Sequence, residues 1–343
     1  MDKILFIGSL NTKKDHFDGE RIKTTLTRDV LKEYFNVVSI NLSTRKMFKT
    51  ARFIFCLLFC RRKYKYVVIS KDRGGAKLLH KILYYLKFDM SRVIYFQIGP
   101  FLYDIVKNNE SVKRLFCHDK IITVETESLK KQLNSICLSN VFVMPNFKPI
   151  PILNFVEHHY PKNELRLVYF SRVEEMKGIY QLIDTLAIIN ENKIRFSLDI
   201  FGLYMSKYDK ERIANYLKKY SWLHYMGTIS LDSSTKYNEI QVYDLHVFPT
   251  MYGEGFPGTI IDFFIAGVPT LSSNFARSSE ILTPNESIIF EQGDSTDLQK
   301  KLTFIYNNQN ILNNLRLNAF NRRSEYGMDV ARLFIEKEIL KNE

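Results

Sequence analysis

The sequence is short of the residues that mark several large classes of protein. Its four cysteines, Cys56, Cys60, Cys117 and Cys137, form no C-x-x-C pair and have no histidine at ligand spacing, and His158-His159 is an isolated doublet. Neither a disulfide framework nor a zinc site is expected, and a reducing compartment is the natural setting. Fourteen Gly and nine Pro in 343 residues exclude collagen-like and low-complexity chains. The longest unbroken apolar run of the first hundred residues, 53–60, is far below the ~20 residues of a membrane-spanning helix. The opening apolar stretch at 4–8 is too short for a signal peptide, and the polar segment 11–20 offers no small-residue cleavage site, so the amino end reads as a first strand. That strand leads into Gly8-Ser9-Leu10-Asn11-Thr12, which lacks the G-x-G-x-x-G spacing, and no G-x-x-x-x-G-K-[ST] occurs anywhere. A dinucleotide oxidoreductase loses its main support and a P-loop NTPase is excluded.

What is present is an ordinary globular composition with an uneven charge. Residues 1–150 hold 28 Lys+Arg against 13 Asp+Glu, and 151–343 hold 21 against 24, so the net +12 divides into +15 and −3. No acidic residue occurs between Glu33 and Asp72, a window containing Arg45, Lys46, Lys49, Arg52, Arg61, Arg62, Lys63, Lys65 and Lys71 around the apolar run 53–60. An anionic surface is the expected partner of this region.

Hydrophobic periodicity alternates short β-branched or aromatic runs with amphipathic stretches, the α/β signature. Strands are expected at 4–8, 37–42, 66–70, 93–98, 121–124 and 141–144. A second series follows at 165–170, 196–201, 244–249, 268–271 and 287–290, with helices at 19–35, 180–190 and from 297 onward. Three prolines in 145–151 mark a linker. The expectation is an α/β chain of two doubly wound Rossmann-like domains facing each other across a cleft: 1–147, 148–325, and a terminal helix at 326–343 packing back on the first.

Two loops carry the candidate chemistry. The strand at 165–170 runs into Ser171-Arg172-Val173-Glu174-Glu175-Met176-Lys177-Gly178 and then a helix, so Arg172, Lys177 and unpaired N–H groups at the helix start converge where an anion such as a diphosphate would be held. The second is Thr250-Met251-Tyr252-Gly253-Glu254-Gly255-Phe256-Pro257-Gly258-Thr259, with a helix beginning near Pro257 and carrying Asp262. Glu254 and Asp262 can each accept hydrogen bonds from sugar hydroxyls. The plainer alternative leaves the two cations and Glu254 solvated, with Asp262 a helix-dipole contact.

The series Phe170-Ser171-Arg172, Lys177-Gly178, Asp244 to Pro249, Glu254-Gly255-Phe256-Pro257, Asp262, Ala266-Gly267-Val268-Pro269-Thr270 and Ser279-Glu280-Ile281 resembles the GT-B glycosyltransferases of family 4. These are retaining enzymes that use nucleotide-diphosphate sugars, and the likeness is greatest to bacterial enzymes of capsule, exopolysaccharide and O-antigen synthesis. The resemblance is specific over 165–282. It implies that Arg172 and Lys177 neutralise the donor diphosphate, that Glu254 contacts the donor sugar, and that Asp262, one methylene shorter than the usual second Glu, holds the ribose. Gly255 and Pro257 would line the donor site, backbone N–H groups of Phe256, Gly258 and Thr259 would complete the cradle, Thr228 and Ile229 would meet the base, and the loop at Gly19 would close over the donor. Many members carry a histidine after the fourth strand, where this chain has Gln97-Ile98-Gly99-Pro100, so no catalytic histidine is assigned; His118 reads as a surface residue. With no D-x-D triplet, no metal and no other cofactor are implied. The acceptor implied is a glycan or a polyprenyl-diphosphate-linked glycan. The setting implied is the cytoplasm, peripheral to the inner face of the cell membrane through residues 45–71. A competing class is a basic protein that binds an anionic surface or nucleic acid and keeps a vestigial transferase fold. The charge split and the lack of nucleic-acid motifs weigh against it, and no nucleic acid is expected as a partner.

Overall fold

The computed structural model describes residues 1–11, 19–42, 63–229 and 233–341. Of the basic region expected to meet an anionic surface, residues 45–62 lie outside those described, as do residues 12–18 of the loop that precedes Gly19. The chain divides into two compact units, Met1–Phe147 with Met328–Glu343, and Lys148–Gly327. Among the described residues no helix is long and apolar enough to cross a membrane.

The first unit is built on a six-stranded sheet: β1 (Lys3–Gly8), β2 (Asn36–Asn41), β3 (Tyr66–Lys71), β4 (Val93–Gln97), β5 (Ile121–Val124) and β6 (Val141–Val143). Every pairing is parallel, in the order β2-β1-β3-β4-β5-β6. Successive side chains of β1 enter opposite cores, Leu5 and Ile7 on one face, Ile4 and Phe6 on the other. Both faces are covered, which is why the strand reads as an unbroken apolar run rather than an alternation. On the first face lies α2 (Arg73–Tyr85), which buries Ala76, Leu79, His80 and Leu83. On the second lies α1 (Gly19–Tyr34), through Val30 and Leu31, together with Ala331 and Phe334 of the terminal segment. That segment is clamped to α1 by a bidentate Arg332–Glu33 pair at 2.8 and 3.0 Å, and the Tyr34 hydroxyl donates to Glu336 at 2.7 Å.

The second unit repeats the plan with β7 (Leu165–Phe170), β8 (Phe196–Phe201), β9 (Leu223–Gly227), β10 (Leu245–Phe248), β11 (Thr270–Ser273) and β12 (Ser287–Phe290). The order is β12-β11-β10-β7-β8-β9, all parallel. Strand β9 is absent from the sequence reading for a physical reason. It is an edge strand with only Leu223 buried, and His224 and Met226 face water, so it has neither a continuous apolar run nor a strong alternation. Helices α3 (Ile179–Ile189) and α4 (Ser295–Asn307) pack on one face through Leu182, Ile183, Leu186, Leu298 and Leu302. On the other are α5 (Ser234–Ile240) and α6 (Gly258–Ala266), the latter almost wholly buried.

The strand order of the second sheet reverses between β7 and β10, which are hydrogen-bonded neighbours. In open parallel sheets the loops leaving such a switch point diverge to opposite faces and leave a crevice at the carboxyl ends of the two strands, the place where ligands bind. The two loops singled out in the sequence are those that leave β7 and β10.

At the opposite, amino-terminal edge of the same two strands, Asp244 is fastened from four directions. It accepts from the Arg166 N–H at 2.9 Å, the Tyr160 hydroxyl at 2.9 Å, Lys162 at 2.5 Å and His158 Nδ1 at 2.8 Å. Burial alone would raise its carboxyl. The bonds from His158, Lys162 and the Arg166 amide outweigh that and hold it down at about 2. The knot ties the segment after the linker to β7 and β10.

Candidate functional site

Beyond β7 the chain makes a short 3-10 turn, Glu175–Lys177, and enters α3 through Gly178. Gly178 has φ +74°, and a Cβ there would stand 1.9 Å from the Pro249 carbonyl oxygen. Only glycine allows this turn to lie against the end of β10, and the Met251 N–H donates to the Met176 carbonyl at 2.9 Å to close the contact. Gly202, at the end of β8, is used in the same way: a Cβ would meet the Ser171 carbonyl oxygen at 1.8 Å. The Arg172 loop is thus fixed by close glycine contacts at both ends, Gly202 against Ser171 at its start and Gly178 against Pro249 at its finish. The Tyr169 hydroxyl, pushed far up by burial, donates to the Arg172 carbonyl at 2.7 Å and fixes that backbone.

This packing brings Lys177 onto Glu254. The lysine, 8 % exposed, donates to Glu254 Oε1 at 2.5 Å and lies over the Tyr252 ring at 4.8 Å. The Thr250 hydroxyl donates to the same Oε1 at 2.7 Å and also accepts from the Tyr252 N–H at 3.2 Å, which shapes the loop after β10. Arg277, in the left-handed region at φ +79°, reaches the Glu254 carbonyl at 3.3 Å. Gln292 donates to the Thr250 and Tyr252 carbonyls at 2.9 and 3.2 Å. Arg277 and Gln292, from the segments that follow β11 and β12, thus brace the backbone of the Glu254 loop.

Arg172 is not part of that cluster. Its side chain is 51 % exposed and stands 3.2 Å from Glu174, an electrostatic pairing without hydrogen-bond alignment. Gly255 and Phe256 are buried, and Pro257 caps α6 with no side-chain bond to the first helical N–H groups, so Gly258 and Thr259 open the helix as expected of an anion-facing end.

Asp262 lies in the second turn of α6 and is 3 % exposed. Both of its oxygens are engaged within the unit: Oδ1 accepts from the Tyr237 hydroxyl at 2.7 Å and Oδ2 is paired with Lys148. A ribose hydroxyl reaching this carboxylate has to displace one of them. Thr228 and Ile229 follow Gly227 at the end of β9 and are half-buried.

In the first unit Gly19 is the first residue of α1. The adjacent Glu20 is paired with Lys71 at 2.9 Å, and Lys71 also donates to Ser9 at 2.6 Å. Lys65 is held by Asp2 at 2.6 Å. Lys71 is therefore largely buried and paired inside the unit, whereas Lys65 is paired with Asp2 at the surface. Gln97 is buried, donates to the Gly99 carbonyl at 2.5 Å and accepts from Lys23 through its own carbonyl at 3.4 Å. His118 is exposed. Among the described residues no three His, Cys, Asp or Glu side chains group as metal ligands.

Sequence reasoning missed Thr250, Arg277, Gln292, Lys148 and Tyr237. Thr250 had a signal, as a polar residue at the carboxyl end of an apolar strand. The other four act through contacts between distant parts of the chain and had none.

Residues 153–322 match the family model described as Glycosyl transferases group 1. No curated protein matches the chain by sequence. Among solved structures, Anabaena HepE in complex with UDP and glucose is similar over 100 % of both chains, with a TM-score of 0.74 at 12 % identity. Sucrose-phosphate synthase from Thermosynechococcus elongatus gives 0.74 at 14 % identity, again over 100 % of both. A glycosyltransferase from Rickettsia africae gives 0.70 at 13 % identity, over 100 % of this chain and 99 % of that one. The sequence match over the second unit and the two-Rossmann-domain fold of the whole chain together support a GT-B glycosyltransferase.

Proposed function

We propose that the chain is a retaining, family 4-like transferase that moves a sugar from a nucleotide diphosphate to a glycan or lipid-linked glycan, in the assembly of bacterial surface polysaccharide. The observation that carries this reading is the Lys177–Glu254 pair at the switch point of the second sheet, beside the amino end of α6. In the free chain the two charges satisfy each other. A bound donor separates their tasks: its diphosphate takes the ammonium, and its sugar hydroxyls take the carboxylate, which Thr250 keeps oriented. Arg172 supplies a second cation from the rim, and the N–H groups of Gly258 and Thr259 face the phosphates. The ribose takes Asp262 Oδ2 from Lys148, while Tyr237 holds the other oxygen in place.

Breaking the bond from anomeric carbon to diphosphate leaves the electron pair on the phosphate oxygen. The charge develops beside Lys177 and the helix end, where fixed cations and amides lower the barrier without rearranging. The acceptor hydroxyl attacks from the same face and its proton passes to the departing phosphate. No metal is required in this scheme, because Lys177 and Arg172 neutralise the diphosphate. The reaction takes place in the cytoplasm at the inner membrane face, where a polyprenyl-diphosphate-linked acceptor is available. HepE, solved with UDP and glucose, supports a nucleotide-sugar donor.

The test is a thermal-shift panel with UDP, GDP, ADP and their sugars, followed by turnover of any stabilising donor. Stabilisation by one nucleoside diphosphate, reduced in Lys177→Met, is expected. Indifference to all three together with stabilisation by an oligonucleotide would overturn the reading in favour of a basic binding protein.

A further inference from the structure

We infer that the outer face of α2 is a docking surface for an anionic lipid bilayer. This helix is fixed to the first sheet by Ala76, Leu79, His80 and Leu83, and the residues it turns to water are of two kinds. Leu78, Tyr84 and Tyr85 are 58, 50 and 78 % exposed, and they are three of the five large apolar side chains that the described part of the first unit leaves in solvent. So much exposed apolar surface on one short helix calls for something to cover it. Between and beside them stand Arg73, Lys77 and Lys81, with Lys87 just past the helix end in the left-handed conformation, φ +49°. No acidic residue occurs from 73 to 88.

The arrangement around the helix axis selects the occupant. At 100° per residue, Tyr85 and Leu78 lie near the middle of the exposed arc with Lys81 beside them, and Lys77, Tyr84 and Arg73 follow along one flank. A peptide partner requires a longer apolar stripe than Leu78 and Tyr85 supply, and cations line one side of that pair. Nucleic acid has no use for Leu78. A layer of anionic headgroups over acyl chains suits every component: ammonium groups reach the phosphates on apolar stems, tyrosines settle at the headgroup level, and Leu78 enters the acyl boundary. Tyr84 and Tyr85 meet edge to face at 5.9 Å, so they insert as one unit. Thirteen residues cannot span the bilayer, and the helix lies in its plane. The inference rests on the lipid-linked-acceptor reading for its purpose, but vesicle binding is measured without any donor or acceptor.

The full chain is sedimented with vesicles of phosphatidylcholine alone and with one-third phosphatidylglycerol, at about 0.1 M and 0.5 M salt. Binding to the anionic vesicles only, lost at the higher salt, is expected. Each surface cation contributes about fivefold in partition, so Lys77→Gln with Lys81→Gln lowers binding about 25-fold. Leu78→Ser with Tyr85→Ser lowers it by about tenfold at unchanged charge. These side chains are exposed, so melting temperature and the response to nucleotides stay those of the parent, which separates failure here from failure of the transferase reading. The inference is overturned if both α2 variants sediment like the parent, if binding disappears only in Arg61→Gln/Arg62→Gln/Lys63→Gln, or if the parent stays in the supernatant with both vesicle types.

Discussion

Replacing Lys177 with methionine keeps most of the side-chain volume and removes one charge from the centre of the site. Two consequences can be separated. Glu254 loses the ammonium at 2.5 Å and keeps only the Thr250 hydroxyl on that oxygen. Breaking a wholly buried pair costs about 3–5 kcal/mol, but this carboxylate has some access to water, so about 1–2 kcal/mol is expected. In a unit of this size each kcal/mol lowers the melting temperature by about 2–4 °C, so the variant melts a few degrees early and remains folded at 25 °C. The rate effect is larger. Loss of one fixed cation beside the departing diphosphate removes about 1.4–2.7 kcal/mol of transition-state stabilisation, a tenfold to hundredfold fall in kcat/KM. Because the charge matters most once the bond is breaking, kcat falls more than the affinity for the nucleotide does. Differential scanning calorimetry and steady-state turnover on the same preparation give both numbers. Turnover within twofold of the parent, in a protein melting as described, would refute the placement of Lys177 at the leaving group and return the pair to a structural role.

Arg172→Ala is expected to lose transfer by about tenfold with no change in melting temperature, since its side chain is half in water and anchors nothing but Glu174; full activity would assign it to the solvated rim. Transfer is expected to continue in EDTA; abolition by the chelator with rescue by magnesium or manganese would show that Lys177 and Arg172 do not suffice for the diphosphate. Lys148→Met leaves the buried Asp262 with Tyr237 alone and is expected to cost about 2–4 kcal/mol by urea denaturation, a reasoning that fails if the midpoint does not move. Asp244, held below its ordinary carboxyl value, contributes stability that is complete above pH ~4 and is lost as pH falls toward about 2. Asp244→Asn is therefore expected to cost about 2 kcal/mol or more at pH 7 and much less near pH 2.5, and an equal cost at both would contradict the linkage.

The sequence by itself determined the parallel architecture. Strands covered on both faces are dominated by apolar residues, with a few polar ones such as Arg166, Asp199 and His246 set among them, so β1, β3 to β5, β7, β8 and β10 are legible as short runs rich in Val, Ile, Leu, Phe and Tyr. It also placed the loops that matter, because residues at the carboxyl ends of such strands are released from packing and are free to be Arg172, Lys177 or Glu254. Tertiary structure alone decided which of these meet. Lys177 and Glu254 are 77 residues apart and are joined because β7 and β10 are neighbours at the reversal of strand order, something no local pattern encodes. Lys148 reaches Asp262 across 114 residues, which turns an expected open carboxylate into a partnered one. Strand β9 escaped notice because one side of an edge strand needs no apolar residues. The exposed side of α2 was equally silent, since periodicity reports which face of a helix is buried but not whether its other face is meant for water. Local sequence carries the constraints of burial, and the pairing of distant residues is carried by topology.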